Sequence, residues 1–262
     1  MIADCDTLKG DLIIGEDMTT FECPVKSIKG SFIAEGAIRL ASINMPNLEE
    51  IDGNFTLKGM TELRILTCPK LVHVGSITWN TLPALIGFTF NDKISEAKDV
   101  LITDTQLTSI DGIDLETVGQ FTLGSNRYLK KVEMARLKSV GDILSFEFNA
   151  PTMEISMPQL EWSNQITVLG ARAINMPLLM HVNRSMNIGN NTIKSMECKN
   201  LTEVEQTLAF IGNSELTEVD FPKLKVIGGG FKIHNNTKYQ NISGFPKLET
   251  VRGAIDFVGK ME

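Results

Sequence analysis

The chain has 262 residues, 42% of them hydrophobic, and a formal net charge of −7 at pH 7. An acidic balance with no Lys/Arg cluster gives no general attraction to nucleic acid or anionic lipid, and no run of about 18 apolar residues is present to span a membrane. So much apolar residue in one domain suits a stack of repeats, which lengthens without thickening.

The first residues, MIADCDTLKGDLII, enter a strand pattern at once, without the basic then apolar layout of a signal peptide. From there apolar anchors recur at Cys5, Val25, Leu48, Leu71, Ile94, Leu115, Leu137, Leu160, Leu179, Leu201, Leu224 and Leu248, in steps of 19 to 24 residues. The residue three beyond each anchor is mostly branched or apolar, as in Ile28, Ile51, Val74, Val140, Val204 and Ile227. Proline stands two residues before six of the anchors, at Pro46, Pro69, Pro158, Pro177, Pro222 and Pro246. With a fixed φ and no N–H to donate, it belongs at a corner or at the first residue of a strand.

A glycine follows most of the L-x-x-V steps, as at Gly30, Gly53, Gly75 and Gly253, where a bend would be crowded by a β-carbon. Next comes an alternating pair, among them Leu12/Ile14, Phe55/Leu57, Phe121/Leu123, Leu208/Phe210, Phe231/Ile233 and Ile255/Phe257. Period two over branched and aromatic residues predicts a strand with one buried face. Three residues past the second member stand Asn126, Asn191, Asn213 and Asn236. Their amides are expected to satisfy turn backbone groups of their own and the neighbouring coil. The second side repeats the spacing in Leu107/Ile110, Leu129/Val132, Ile193/Met196, Leu216/Val219 and Tyr239/Ile242. Too few residues remain before the next corner for a helix, which separates the pattern from ordinary leucine-rich repeats. The expected fold is therefore all-β: one continuous right-handed β-solenoid of about twelve coils over residues 1–262, with parallel sheets. Both ends are expected to be truncated.

The segments GGGFKIHNNT, GFPKLETVRGAI, GSNRYLKKVE and TSIDGIDLETV resemble the fungal GPI-anchored cell-wall organisation proteins of the extracellular-mutant and sporulation-specific group. That resemblance runs along nearly the whole chain and implies a receptor L-domain-like fold, with CDTLKGDLII similar to its opening strand. It also implies a secreted, N-glycosylated cell-surface or cell-wall protein, needed for wall integrity and without catalysis. The sequence departs from the group in lacking a signal peptide, a Ser/Thr-rich stalk and a hydrophobic GPI tail, so it reads as a piece of a longer parent.

Six of 18 asparagines stand in N-x-[ST] sequons: Asn54, Asn183, Asn190, Asn200, Asn235 and Asn241. Cys68 and Cys198 occupy a pre-anchor slot filled elsewhere by Met45, Met157 and Phe221, and lie six coils or about 29 Å apart, so they read as core residues that cannot pair. For Cys5 and Cys23, about one coil apart, a disulfide and a core thiol both remain open.

Catalytic, metal and cofactor sites are not expected. His73 and His181 share a coil position but stand about 24 Å apart, and His234 falls on another side. Asp99 and Asp142, the best-placed carboxylates for a polysaccharide-acting enzyme, differ in offset from their inward neighbours. Lys232 and Asp256 are expected to form a surface ion pair. Alternation points Ile13, Ile33 and Leu101 outward, as a candidate face for a partner, either wall polysaccharide or a cell-surface protein. Three functions are thus in view: a non-enzymatic cell-wall glycoprotein first, a ligand-binding L-domain-type module second, and a β-helix enzyme a remote third.

Overall fold

A computed structural model describes residues 6–259. Those residues are all-β, without an α-helix, and complete about 11 turns of parallel β-solenoid. The anchor expected to open a twelfth, Cys5, lies outside the described residues. Two compact units are present, Met1–Leu129 and Lys130–Glu262.

In the first unit the main sheet stacks Leu12–Ile13, Phe32–Glu35, Glu50–Lys58, His73–Leu82, Asp99–Thr105 and Gln120–Gly124 in parallel register. A second sheet stacks Thr20–Glu22, Ser42–Asn44 and Ile65–Thr67. The second unit repeats the plan, with Ser139–Glu147, Trp162–Leu169, Met186–Gly189, Leu208–Ile211, Phe231–His234 and Ile255–Val258 in its main sheet. In-register stacking follows from the repeat length: a parallel strand one coil on must bring the same offset to the same column, or its apolar face would turn to solvent.

The core is made of the repeated slots. The anchors from Val25 to Leu224 are fully buried, whereas Leu248 is half-buried. The pre-anchor slot is buried too, in Cys23, Met45, Cys68, Met134, Met157, Met176, Cys198, Phe221 and Phe245. Aromatic rings link coils edge to face: Phe32, Phe55 and Trp79 stand 5.2 and 5.6 Å apart in one unit, and Phe231 stands 5.0 Å from Phe245 and 5.1 Å from Phe257 in the other.

Three expected core positions are corrected. Ile242 is 38% exposed, because the chain leaves strand geometry there in a turn where Asn241 Oδ1 accepts the Ser243 N–H, and Gly244 returns it against Val219. Ile255 is 60% exposed and Phe257 half-buried, since among the described residues a strand, Phe231–His234, covers only one side of theirs.

The bends and turns explain the glycines and asparagines. A β-carbon on Gly75 would lie 2.3 Å from the Asp52 carbonyl oxygen and 2.6 Å from that of Gly53, so the bend closes only without one. In the turn after the main strand, one residue per coil takes a left-handed conformation: Gly36, Gly59, Thr81, Asp104, Ser125, Phe148, Gly170, Asn190, Gly212 and Asn235. Directly after it comes the ladder slot. Asn191, Asn213 and Asn236 are buried there, and their Nδ2 groups donate to the carbonyls of Val168, Ile188 and Phe210 at 2.8–3.1 Å. Asn126 does the same to Ile102 in the first unit. These bonds tie each buried turn amide to the main strand of the preceding coil.

Candidate functional site

The outward side of the first unit's main sheet carries the residues that alternation pointed to solvent. The register joins Ile13 to Ile33, Ile33 to Thr56, Thr56 to Thr78, Thr78 to Leu101 and Leu101 to Thr122. The three expected positions thus share a single uncharged column. Ile13 is 69% exposed, and Ile33 and Leu101 are half-buried beside their neighbours. Thr56, Thr78 and Thr122 belong to the same column although the sequence reading did not single them out. Their signal was the spacing, since each sits between the two members of an inward pair.

Polar columns flank it. On one side run Asn54, Ser76, Asp99 and Gln120, and on the other Glu35, Lys58, Asn80 and Thr103. Hydrogen bonds fix several of these groups: Asn80 Nδ2 donates to Thr103 Oγ1 of the next coil at 2.6 Å, and Gln120 Nε2 to Thr122 Oγ1 of its own strand at 3.0 Å. The face is therefore a flat, ordered strip of methyls and hydroxyls between polar borders. Asn54, a sequon residue, is exposed on this same face, one column from Thr56.

Of the other sequon residues, Asn183, Asn190, Asn235 and Asn241 are exposed, whereas Asn200 is half-buried. Its amide is held from both ends, Nδ2 donating to the Pro177 carbonyl at 3.1 Å and Oδ1 accepting from Lys223 Nζ at 2.8 Å. Asn190 and Asn235 occupy the left-handed turn position, at φ 52° and 55°, each directly before a buried ladder asparagine.

The remaining polar candidates are each tied into local contacts. His73 lies between Glu50 and Glu96 of adjacent coils, its Nδ1 3.0 Å from Glu96 Oε2. Lys29 Nζ lies 2.5 Å from Glu50 Oε1, which also accepts from Ser27 Oγ at 2.7 Å; these two bonds hold the Glu50 carboxyl below the usual carboxylate range. Asp99 Oδ1 accepts the Gln120 N–H at 2.9 Å, and Asp142 stands 3.4 Å from Arg184. His181 lies 3.4 Å from Thr202 Oγ1. Lys232 and Asp256 are opposite in register, as expected, but the Asp256 carboxylate turns to His234, whose Nε2 lies 2.9 Å away, outside hydrogen-bond alignment. His234 points out of the strand two residues beyond Lys232, and its ring reaches across the coil spacing. Among the described residues, no group of three or more His, Cys, Asp or Glu is placed to hold a metal ion, and no helix is long and apolar enough to cross a membrane.

Of the two cysteines for which a disulfide and a core thiol were both open, Cys5 lies outside the described residues and Cys23 is a buried free thiol. Cys68 and Cys198 are buried free thiols as well, and burial pushes both upward, Cys198 to about 12.

No family model matches the sequence, and no solved structure matches it. Curated proteins do. The chain is 36% identical over 263 residues to the protein named ecm33 of Aspergillus fumigatus, covering 99% of this chain and 65% of that one. It is 30% identical to a cell surface GPI-anchored protein of Arthroderma benhamiae, covering 100% of this chain and 67% of the relative. To the cell wall mannoprotein PST1 of Saccharomyces cerevisiae it is 34% identical, covering 97% and 57%. The chain thus spans between about half and two thirds of the relatives it matches.

Proposed function

The chain belongs to the fungal family of GPI-anchored cell-surface and cell-wall proteins, and from that membership we propose that it acts without catalysis in the organisation and integrity of the fungal cell wall. The observation that carries this reading is the match of essentially its whole length to proteins named for the cell wall and the cell surface. On the same reading the parent protein is secreted, N-glycosylated and held at the cell surface by a GPI anchor.

The working surface is the column Ile13, Ile33, Thr56, Thr78, Leu101 and Thr122. Its partner is wall polysaccharide. A sugar chain offers C–H faces and hydroxyls, and a strip that combines branched methyls with threonine hydroxyls complements both without charge. Repetition in register supports a repeating ligand, because each coil offers equivalent contacts about 4.8 Å further on.

Co-sedimentation with insoluble wall glucan and chitin tests the reading. Ile33→Asp and Leu101→Asp are expected to weaken retention while leaving the melting midpoint nearly unchanged, since both side chains lie on the outward face. Retention equal to the parent's would overturn the proposed face. Capture of a surface protein in place of polymer, lost in the same variants, would reassign the partner to the protein class. Release of new reducing ends from either polymer would overturn the non-catalytic reading.

A further inference from the structure

In the second unit an outward column runs Leu169, Gly189, Ile211, His234 and Val258. At Gly189 it is interrupted. With Ala209 in the neighbouring column, the missing side chains leave a depression of about 210 Å³, walled by Leu169 and Ile211 and bordered by Asn187 and Asn190. That is well below the roughly 300–1,000 Å³ of sites for drug-sized molecules, and suits a single sugar ring.

Asn190 is at once part of the rim and the first residue of the sequon Asn190-Asn191-Thr192. Its backbone is set by the N–H donated to the Ile211 carbonyl at 2.8 Å and by its left-handed φ of 52°. Its amide reaches across to the next coil, where Oδ1 would lie 2.6 Å from a β-carbon on Gly212, so that glycine makes room for it beside Ile211. We propose that this depression is a seat for the first N-acetylglucosamine of a glycan carried on Asn190 itself, with the acetamido methyl and the sugar's C–H face against Leu169 and Ile211 and the acetamido polar atoms toward Asn187.

The proposal rests on the glycosylation reading above. The bond forms between Asn190 Nδ2 and the anomeric carbon of N-acetylglucosamine; a polyprenyl-pyrophosphate oligosaccharide is the donor, its pyrophosphate leaves, and the amide gives up one proton. What is new is that the attached sugar is packed rather than free.

Asn235 supplies an internal control. It occupies the same turn position, at φ 55°, before the buried Asn236. The residue before it is His234, whose ring stands in the column position where Gly189 carries no side chain. A glycan on Asn235 therefore has no seat.

The test uses the full chain secreted behind a host leader from a glycosylating yeast, trimmed to one N-acetylglucosamine per site, with the unglycosylated bacterial product alongside. In the trimmed protein, Asn190→Gln should lower Tm by about 2–4 °C more than Asn235→Gln does. In the bacterial product the two substitutions, both at left-handed positions that glutamine accepts less readily than asparagine, should shift it by the same small amount. Leu169→Ser should erase the Asn190 increment, and nuclear Overhauser contacts should join the acetamido methyl to the Leu169 and Ile211 methyls. Equal shifts at the two sites, or an occupied Asn190 without those contacts, would overturn the seat and leave the glycosylation reading intact. Mass spectrometry showing Asn190 and Asn235 both unoccupied would overturn the two together.

Discussion

Asn213 Oδ1 accepts two hydrogen bonds from Asn191, the backbone N–H at 3.2 Å and the side-chain amide at 2.9 Å. Asn236 Oδ1 does the same for Asn213, with both bonds at 2.9 Å. Each amide thus serves three coils, donating to a carbonyl on one side and accepting from a buried turn. Asn213→Ala removes the middle member: the Asn191 N–H and Nδ2 lose their acceptor and the Ile188 carbonyl loses the Asn213 Nδ2 donor, while Asn236 Oδ1 keeps the backbone N–H of residue 213. The expected cost is about 1–3 kcal/mol, read as a lower urea midpoint, and an unchanged midpoint would remove the ladder from the list of stabilising features.

Gly75→Ala sets a β-carbon against two backbone oxygens that have no room to yield. A loss of about 1–3 kcal/mol is expected from overpacking. Gly15→Ala is the matched comparison, since a β-carbon there meets nothing within 4 Å. Chemical denaturation of the pair should separate them clearly; equal midpoints would show that the bend is looser than it looks.

The buried thiols give a labelling prediction. With Cys198 pushed up to about 12 and Cys68 raised likewise, thiolate is scarce in the folded protein at pH 8 and both sulfurs are screened from solvent. Maleimide should modify them only as fast as the chain opens, and the rate should rise steeply through the urea transition. Prompt labelling of either in the native protein would contradict its place in the core.

Glu50 makes stability pH-dependent at the acid end. Its carboxyl titrates lower in the folded state, chiefly through the bond from Lys29 and then that from Ser27. Its stabilisation is therefore complete above the ordinary carboxylate pKa of about 4.3 and is lost as pH falls through the lower folded value. Lys29 is raised by the same bond, so its share is present below about 10.4 and fades above. Melting curves of the parent and Glu50→Gln should differ near pH 7 and converge in acid; a gap that persists at pH 2 would assign the effect to shape rather than charge.

Whatever repeats was legible in the sequence, because stacking forces equivalent offsets into one environment: the anchors, the pre-anchor slot of Cys68 and Met157, the crowded Gly75 and the asparagine ladder. The outward column became a single strip only through register, since nothing local to Ile33 or Leu101 says that Thr56 and Thr78 lie between them. The left-handed turn position was signalled by Gly36, Gly59, Asn190 and Asn235. It was obscured by Thr81 and Phe148, which take the same conformation against their own steric preference. Where no described coil follows, as beyond Ile255 and Phe257, the repeat overstates burial. At Asp256 a neighbour on the same face, His234, outcompetes the residue directly opposite.

The ladder slot also constrains how such a chain can drift. In the first unit it holds Ala37, Met60 and Leu82, all buried and apolar, and later Thr105 and Asn126. A lone asparagine at Met60 would meet no side-chain acceptor from its neighbours, and a lone leucine at Asn213 would orphan both of its own. Either change alone is a loss that a second, adjacent change repairs, so the slot evolves in blocks rather than residue by residue. Thr105 shows how a block boundary is spliced: its hydroxyl donates to Asn126 Oδ1 at 2.7 Å and accepts the Leu107 N–H at 3.2 Å, so a side chain that also carries a methyl ends the polar run. Epistasis between neighbouring coils should accordingly be strong at this offset and weak at the exposed positions between the inward pairs.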